Sequence, residues 1–145
     1  MRALSIRQPW AELILRGSKT IECRSRPTYV RERIWIYAAE GRSLYSALSS
    51  ITVADSALLP RGVLVGSVEL VACRPIRPED CTGACCDVEF GGYAWVLMHA
   101  ERLAAPLRPT SRPQPAFFHP FATHDESSPI RPVLLALRRR APGAM

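Results

Sequence analysis

Hydrophobic and polar residues alternate along several stretches of this chain, which predicts that strands supply most of its structure. Successive side chains point to opposite faces of a strand, so each such stretch has two chemically different faces. The run 63–73 is almost continuously apolar, as is typical of a central, buried strand, and Gly66 within it indicates a bulge or a close backbone approach. The predicted strands are residues 2–6, 19–26, 33–39, 63–73, 93–103 and 131–138.

Helical spacing of apolar residues occurs in two short stretches. In residues 9–16, Trp10 and Ile14 share a face, and Gly17 suits the left-handed position that ends a helix. Trp10 either anchors this helix in the core or lines a groove where its ring stacks on a base or sugar. Residues 41–56 form the second predicted helix. Seven of the thirteen prolines lie between residues 106 and 132, which predicts an irregular segment that phenylalanines 117, 118 and 121 fasten to the body.

The predicted elements favour one mostly β domain. Two short helices cannot supply the long crossovers of a parallel βαβ sheet. We therefore expect an α+β, mostly β fold: a small mixed or antiparallel β-barrel of five or six strands with short helices at its rim. At 145 residues the chain fits a single domain, predicted to span residues 1–138, and residues 139–145 are predicted to be a short, basic, disordered tail.

The charge balance points to an anionic partner. Nineteen basic residues exceed thirteen acidic ones, which gives a net charge of +6 and a pI of about 9.5. Nucleic acid and phosphorylated small molecules are the partners that such a balance favours. No apolar run approaches the roughly 20 residues of a membrane span, and the first residues lack the apolar core of a secretion signal. We expect a cytoplasmic protein with no membrane partner.

Five cysteines, an odd number, do not indicate a disulfide framework. Cys81, Cys85 and Cys86 cluster, and zinc with His99 or Cys73 as a further ligand is one interpretation. The spacing is not the paired Cys-x-x-Cys of zinc ribbons, so a reduced loop is favoured. The sequence therefore predicts neither a metal nor a cofactor.

Several residues that could bind or catalyse lie between Gly17 and Arg24. This stretch contains Lys19, the chain's only lysine, together with Glu22. Period-2 geometry places Glu22 beside Arg24, with Arg26 further along the same side. Two arginines and a carboxylate next to a tryptophan-bearing helix suggest an anion pocket. The alternative is a solvated strand face with a weak surface salt bridge.

Several motifs together resemble the ASCH domain family, which is related to the PUA domains of RNA-modifying enzymes. They are Ser5-Ile-Arg-Gln-Pro-Trp-Ala, Gly17-x-Lys19-x-x-Glu22-x-Arg24 and the runs that begin at Arg33 and Arg61, and the resemblance covers about residues 3–103. It implies a PUA-like β-barrel with a cleft formed by the first helix and the strand after it.

Members of that family differ in function, and this chain departs from one of their patterns. Coactivator members bind nucleic acid as accessory domains, some small bacterial members hydrolyse an acetylated cytidine, and at least one resembles a ribonuclease. In the hydrolases the lysine activates a threonine three residues on, whereas here Lys19 is followed at that distance by Glu22, as in the coactivator type. An assisting acid would be Glu69, Glu79, Asp80 or Glu89, with none preferred.

Three functional hypotheses follow. In the first, the chain binds single-stranded RNA, another single-stranded nucleic acid or a nucleotide-like small molecule in a basic cleft. Arg24, Arg26, Arg31 and Arg33 would contact phosphates, Trp10 would stack, and Gln8, Lys19 and Glu22 would read a base edge. In the second, a hydrolase acts on RNA or a modified nucleoside, with Lys19 activating water or stabilising an oxyanion and Glu22 as general base. In the third, the domain binds a protein partner and catalyses no reaction.

Overall fold

A computed structural model describes residues 1–42, 53–88 and 91–121 of the chain. One six-stranded sheet dominates it, in the order β2-β5-β4-β3-β1-β6. β1 runs parallel to β3, and the other neighbouring pairs are antiparallel. The strands are β1 (Ala3–Gln8), β2 (Ile21–Arg24), β3 (Arg33–Arg42), β4 (Val63–Pro75), β5 (Tyr93–Leu107) and β6 (Phe117–Phe118). This confirms the predicted mostly β, PUA-like class.

In the described residues, three short α-helices accompany the sheet: α1 (Trp10–Leu15), α2 (Val53–Ala57) and α3 (Cys81–Ala84). Gly17 follows α1 with a φ of 80°, which confirms its predicted left-handed conformation. Residues 43–52 of the predicted second helix lie outside the described residues. So do the predicted last strand, 131–138, and the predicted tail, 139–145. The domain boundary at residue 138 stays a prediction.

The two faces of β3 build the two largest parts of the core. Ile34 and Ile36 pack against Ile14 of α1 in one cluster, because alternate residues face the same side. Trp35 and Tyr37 occupy the other cluster. There the rings of Tyr37 and Phe118 meet edge to face, with their centres 5.2 Å apart. Phenylalanine 121 packs in the same way against Trp35, so the predicted aromatic anchors of the proline-rich segment are confirmed.

Gly66 allows the close backbone approach that its position in β4 predicted. A Cβ at this residue would overlap the carbonyl oxygen of Glu101 and a methyl group of Leu15. β4 is an interior strand, as its apolar run predicted. The absence of a side chain at Gly66 therefore lets β5 and α1 pack closely against β4.

Alternation along β5 ends before His99. Trp95 and Leu97 are buried on one face of the strand, but His99 is exposed and has a φ of 53°. The left-handed conformation, next to a register shift against β4, turns its side chain away from the buried face. None of the helices in the described parts of the chain has the length and apolar character that crossing a membrane requires.

Candidate functional site

A cleft of about 740 Å³ opens where the curled sheet brings β2 near β1. The two strands are not neighbours in the sheet, yet Nη2 of Arg24 donates a 2.8 Å hydrogen bond to the carbonyl oxygen of Ser5. The volume falls within the range of small-molecule sites. The lining comes from β1, β2, β3, Trp10 and a loop after β5: Ser5, Arg7, Trp10, Glu22, Cys23, Arg24, Tyr37, Ala39, Glu40, Gly41, Arg112, Pro113, Gln114, Pro115 and Ala116.

Lys19 lies behind the cleft wall and is only 3% exposed. Its Nζ donates a 2.8 Å hydrogen bond to the carbonyl oxygen of Ala84. The same ammonium lies 3.8 Å from Oε2 of Glu22 and 5.1 Å from the ring centre of Trp10, a distance at which a cation and an aromatic face attract each other. Lys19 therefore supports Trp10 and Glu22, which line the cleft. Lys19 itself is not part of the lining.

Glu22 lies between two cations. Its Oε1 is 3.3 Å from Nε of Arg24, and its Oε2 faces Lys19 at 3.8 Å. Oε2 is buried and has no hydrogen-bond donor among the described residues. An ionised carboxylate only accepts hydrogen bonds, so the acceptor capacity of this buried oxygen is directed at Lys19, behind the cleft wall that Glu22 lines.

The guanidinium of Arg24 is held in place from several sides. Besides its bond to Ser5, it lies 5.6 Å from the ring centre of Trp95. Trp95 is itself fixed, because its Nε1 donates to the carbonyl oxygen of Arg26 at 3.0 Å and its ring stacks on Phe117 at 5.5 Å. The predicted pairing of Glu22 with Arg24 is present in this arrangement.

The amide of Gln8 is occupied by backbone groups. Gln8 is 1% exposed, its Oε1 accepts the Glu12 N–H at 3.0 Å, and its Nε2 donates to the carbonyl oxygen of Pro60 at 3.0 Å. These bonds join the start of α1 to the segment before β4. Gln8 thus lies in the interior rather than on the cleft surface.

The remaining predicted arginines lie away from the cleft lining. Arg26 and Arg31 are exposed, and Arg31 donates to the carbonyl oxygens of residues 28 and 30. Arg33 contacts Ser67 and pairs with Glu69 at 3.3 Å. Of the eight predicted binding residues, the cleft lining includes Trp10, Glu22 and Arg24.

Residues 112–116 form one wall of the cleft, and the sequence did not predict their place there. Ser5 fastens this wall: its N–H donates to the carbonyl oxygen of Ala116 at 2.9 Å, and its hydroxyl donates to that of Gln114 at 2.6 Å. Among the described residues, three arginines and two glutamates line the cleft, so the charge of this lining is mixed rather than uniformly basic: Arg7, Arg24, Arg112, Glu22 and Glu40.

Cysteines lie near the cleft as free thiols. Burial raises the pKa of Cys23, which lines the cleft, to about 11, and burial also raises the pKa of Cys86 beside it. Cys85 points its Sγ at the carbonyl oxygen of Ser18, 3.2 Å away. Within residues 1–42, 53–88 and 91–121, no three His, Cys, Asp or Glu side chains are grouped so that they could hold a metal ion.

The structure describes three of the four acidic residues that the sequence offered as candidates to assist a catalytic lysine. Asp80 accepts two 2.8 Å hydrogen bonds from Arg74, which hold the pKa of this carboxyl below its usual value. Glu69 is paired with Arg33, Glu79 is exposed, and Glu89 lies outside the described residues. Of the three that the structure describes, none is among the residues that line the cleft.

Comparisons with known proteins agree with this fold. The sequence profile of the ASCH domain matches residues 4–107. Activating signal cointegrator 1 of Homo sapiens and that of Mus musculus are each 38% identical over 80 residues, covering 48% of this chain but only 14% of the relative. The crystal structure of ASCH from Zymomonas mobilis superposes with a TM-score of 0.50 at 18% identity, covering 74% of this chain and 72% of that one, and shows likeness of fold.

Proposed function

The chain belongs to the ASCH domain family, and from the geometry of its cleft we propose that it is a nucleic-acid-binding module that takes up an unpaired nucleotide of single-stranded RNA. The observation that supports this most directly is the adjacency of an indole, a carboxylate and a guanidinium: Trp10, Glu22 and Arg24 line one cleft. Proteins read unpaired bases by stacking them on aromatic or arginine planes and by hydrogen bonding to their edges.

The mixed charge of the cleft suits a nucleotide better than a bare phosphate chain. Glu22 offers an acceptor for base N–H groups, whereas the arginines of the lining suit phosphate oxygens. In this proposal one base enters the cleft, and the neighbouring phosphates lie against the exposed Arg26 and Arg31 outside it. The net charge of +6 favours the approach of the strand.

Lys19 and Gln8 act as positioning residues in this proposal. Lys19 holds Trp10 and Glu22 from behind, and Gln8 fixes the start of the helix that begins with Trp10. These two residues affect binding through the shape of the cleft. Arg33 has no role in the cleft, because its side chain contacts Ser67 and Glu69 outside the lining.

The hydrolase hypothesis has less geometric support. A catalytic lysine must reach the substrate, but Lys19 is buried behind the wall with its ammonium bonded to the carbonyl oxygen of Ala84. Glu22 does reach the cleft. For this reason the test of binding also measures the length of the recovered RNA.

The proposal is tested by titrating short single-stranded RNA at several salt concentrations and then sizing the RNA. Wild type is compared with Arg24→Ala, Glu22→Gln and Arg108→Ala, an exposed arginine outside the cleft lining that serves as a matched control. We expect affinity to fall with salt, Arg24→Ala and Glu22→Gln to bind more weakly, and Arg108→Ala to bind like wild type.

Intact RNA after binding supports a binding module. RNA that wild type shortens and Glu22→Gln does not would instead support the hydrolase. Absent or salt-insensitive binding overturns the nucleic-acid proposal and favours a protein partner.

A further inference from the structure

The cleft wall formed by residues 112–116 lies beyond the region that matches the family. That match ends at residue 107, the last residue of β5, whereas Arg112 and the four residues after it line the cleft. The family match therefore does not account for this part of the site. The role of these residues is therefore argued from this chain's own structure.

The wall is fastened to the sheet on both sides of Arg112. On the C-terminal side of Arg112, the carbonyl oxygens of Gln114 and Ala116 each accept one hydrogen bond from Ser5 of β1. The strand β6, which follows, pairs with β1. On the N-terminal side of Arg112, the N–H groups of Thr110 and Ser111 donate to the carbonyl oxygen of Pro120 at 2.9 and 3.0 Å. Prolines 113 and 115 restrict φ between these anchors. Such a wall is preorganised, which lowers the entropic cost of binding.

Arg112 differs from the arginines that have carboxylate partners. It is exposed, it lines the cleft, and no carboxylate lies within ion-pair distance of it in the described parts of the chain. The paired arginines include Arg24 with Glu22, Arg33 with Glu69, Arg74 with Asp80 and Arg102 with Glu12. Its charge is therefore available to a ligand, and the planar guanidinium matches the geometry of a phosphate group.

We propose that residues 112–116 are a second recognition element of the cleft and that Arg112 contacts a phosphate of the nucleotide whose base lies against Trp10. The inference rests on the proposed function and adds the ligand class: a nucleotide bearing a phosphate, internal or terminal, rather than a free nucleoside. Trp10 and Glu22 hold the base side of the ligand, and Arg112 holds its phosphate side. Selectivity for phosphorylated ligands thus comes from a segment outside the family match.

The test uses three probes: a single-stranded RNA hexamer, the four nucleoside 5′-monophosphates and the four nucleosides. The full chain is compared with Arg112→Ala, Arg112→Lys and Arg108→Ala, which removes an exposed arginine four residues away from the wall residue. We expect Arg112→Ala to bind the hexamer about three- to tenfold more weakly. The slope of log affinity against log salt should fall by about 0.7, as for one lost phosphate contact on a single strand.

The other probes separate a phosphate contact from a general loss of binding. Arg112→Ala should lose affinity for the monophosphates but not for the nucleosides, and Arg112→Lys should retain part of the salt slope. Equal loss for monophosphates and nucleosides overturns the phosphate assignment. A thermal unfolding curve like that of wild type shows that Arg112→Ala is folded, as its exposed position predicts.

Failure of this inference and failure of the proposed function give different results. If wild type binds the hexamer and Arg24→Ala does not, while Arg112→Ala equals Arg108→Ala, the role of Arg112 is wrong and the binding module stands. If wild type binds none of the three probes, the proposed function fails and this inference fails with it.

Discussion

The carbonyl oxygen of Ser5 accepts a 2.8 Å hydrogen bond from Nη2 of Arg24, although their strands are not neighbours in the sheet. The same serine donates its N–H and its hydroxyl to the loop that forms one wall of the cleft. Ser5 therefore joins β1, the edge strand β2 and this wall. The shape of the cleft depends on these contacts. The contact between β1 and β2 is made by the side chain of Arg24.

Replacing Arg24 with lysine should weaken both the fold and RNA binding. A lysine cannot reach Ser5 and Glu22 and cover Trp95 at the same time, because it lacks the planar fork of arginine. We expect a loss of about 1–2 kcal/mol in the free energy of unfolding, measured by urea denaturation. Arg108→Lys, an exposed change outside the cleft lining, is the control. Equal effects of the two changes would contradict the role of Arg24.

Local patterns in the sequence predicted the parts of the site that strand geometry determines. Glu22 and Arg24 are two residues apart in β2, so their side chains share a face whatever the rest of the chain does. Lys19 precedes this strand, which is why alternation did not limit where its ammonium could reach. The close approach at Gly66 was predictable for the same local reason, since a glycine inside an apolar strand often marks a bulge or a backbone that packs closely against it.

Contacts between distant residues account for what the sequence did not predict. Ser5 and Ala116 are brought together only when the chain after β5 returns to β1, and no local pattern in the proline-rich segment encodes that return. Gln8 was expected to read a base edge, but its amide instead bonds to the carbonyl oxygen of Pro60, 52 residues away. Polarity alone does not reveal whether such a group faces solvent or a buried backbone atom.

Removing the ammonium of Lys19 should destabilise the fold through Glu22. Lys19→Met leaves the Ala84 carbonyl without its side-chain donor and leaves Glu22 with only one of its two cations. We expect a loss of about 2–3 kcal/mol in the free energy of unfolding, because loss of one partner leaves the other buried polar group uncompensated.

The double variant Lys19→Met/Glu22→Gln separates the ion pair from simple loss of packing. If the two charges interact, the double change should cost less than the sum of the two single changes. Urea denaturation of all four proteins completes this cycle. Strictly additive losses would show that Lys19 does not support Glu22, and its place behind the cleft wall would then concern Trp10 and Ala84 alone.

Adding a methyl group at Gly66 should destabilise the sheet more than adding one at Gly17. At Gly66 the new Cβ would overlap the carbonyl oxygen of Glu101, a backbone atom that cannot move without shifting β5. At Gly17 the space is open, and only the φ of 80° opposes the change, at about 1–2 kcal/mol. We expect Gly66→Ala to cost about 3 kcal/mol in the free energy of unfolding. A smaller loss for Gly66→Ala than for Gly17→Ala would contradict the close approach.

The ion pair of Glu12 with Arg102 should make the free energy of unfolding depend on pH below about 4.5. Nη1 and Nη2 of Arg102 donate to the carboxylate at 2.9 and 2.8 Å, and Arg16 adds a third contact at 3.0 Å. Hydrogen bonding from Arg102, opposed by burial and aided by Arg16, holds the pKa of Glu12 below its usual 4.5. A pKa that folding lowers contributes stability above about pH 4.5, and this contribution is lost as the pH falls through the folded value.

The variant Arg102→Gln tests this dependence because it removes the main cause of the lowered pKa. Its free energy of unfolding should lie below that of wild type at pH 7, and the gap should narrow as the pH falls below 4.5 and through the folded pKa of Glu12. Arg108→Gln, an exposed change without a carboxylate partner in the described chain, should show no gap at any pH tested. A gap for Arg102→Gln that stays constant from pH 7 through the whole acid range would mean that Arg102 stabilises the protein by packing on α1 and not through the charge of Glu12, because packing does not titrate.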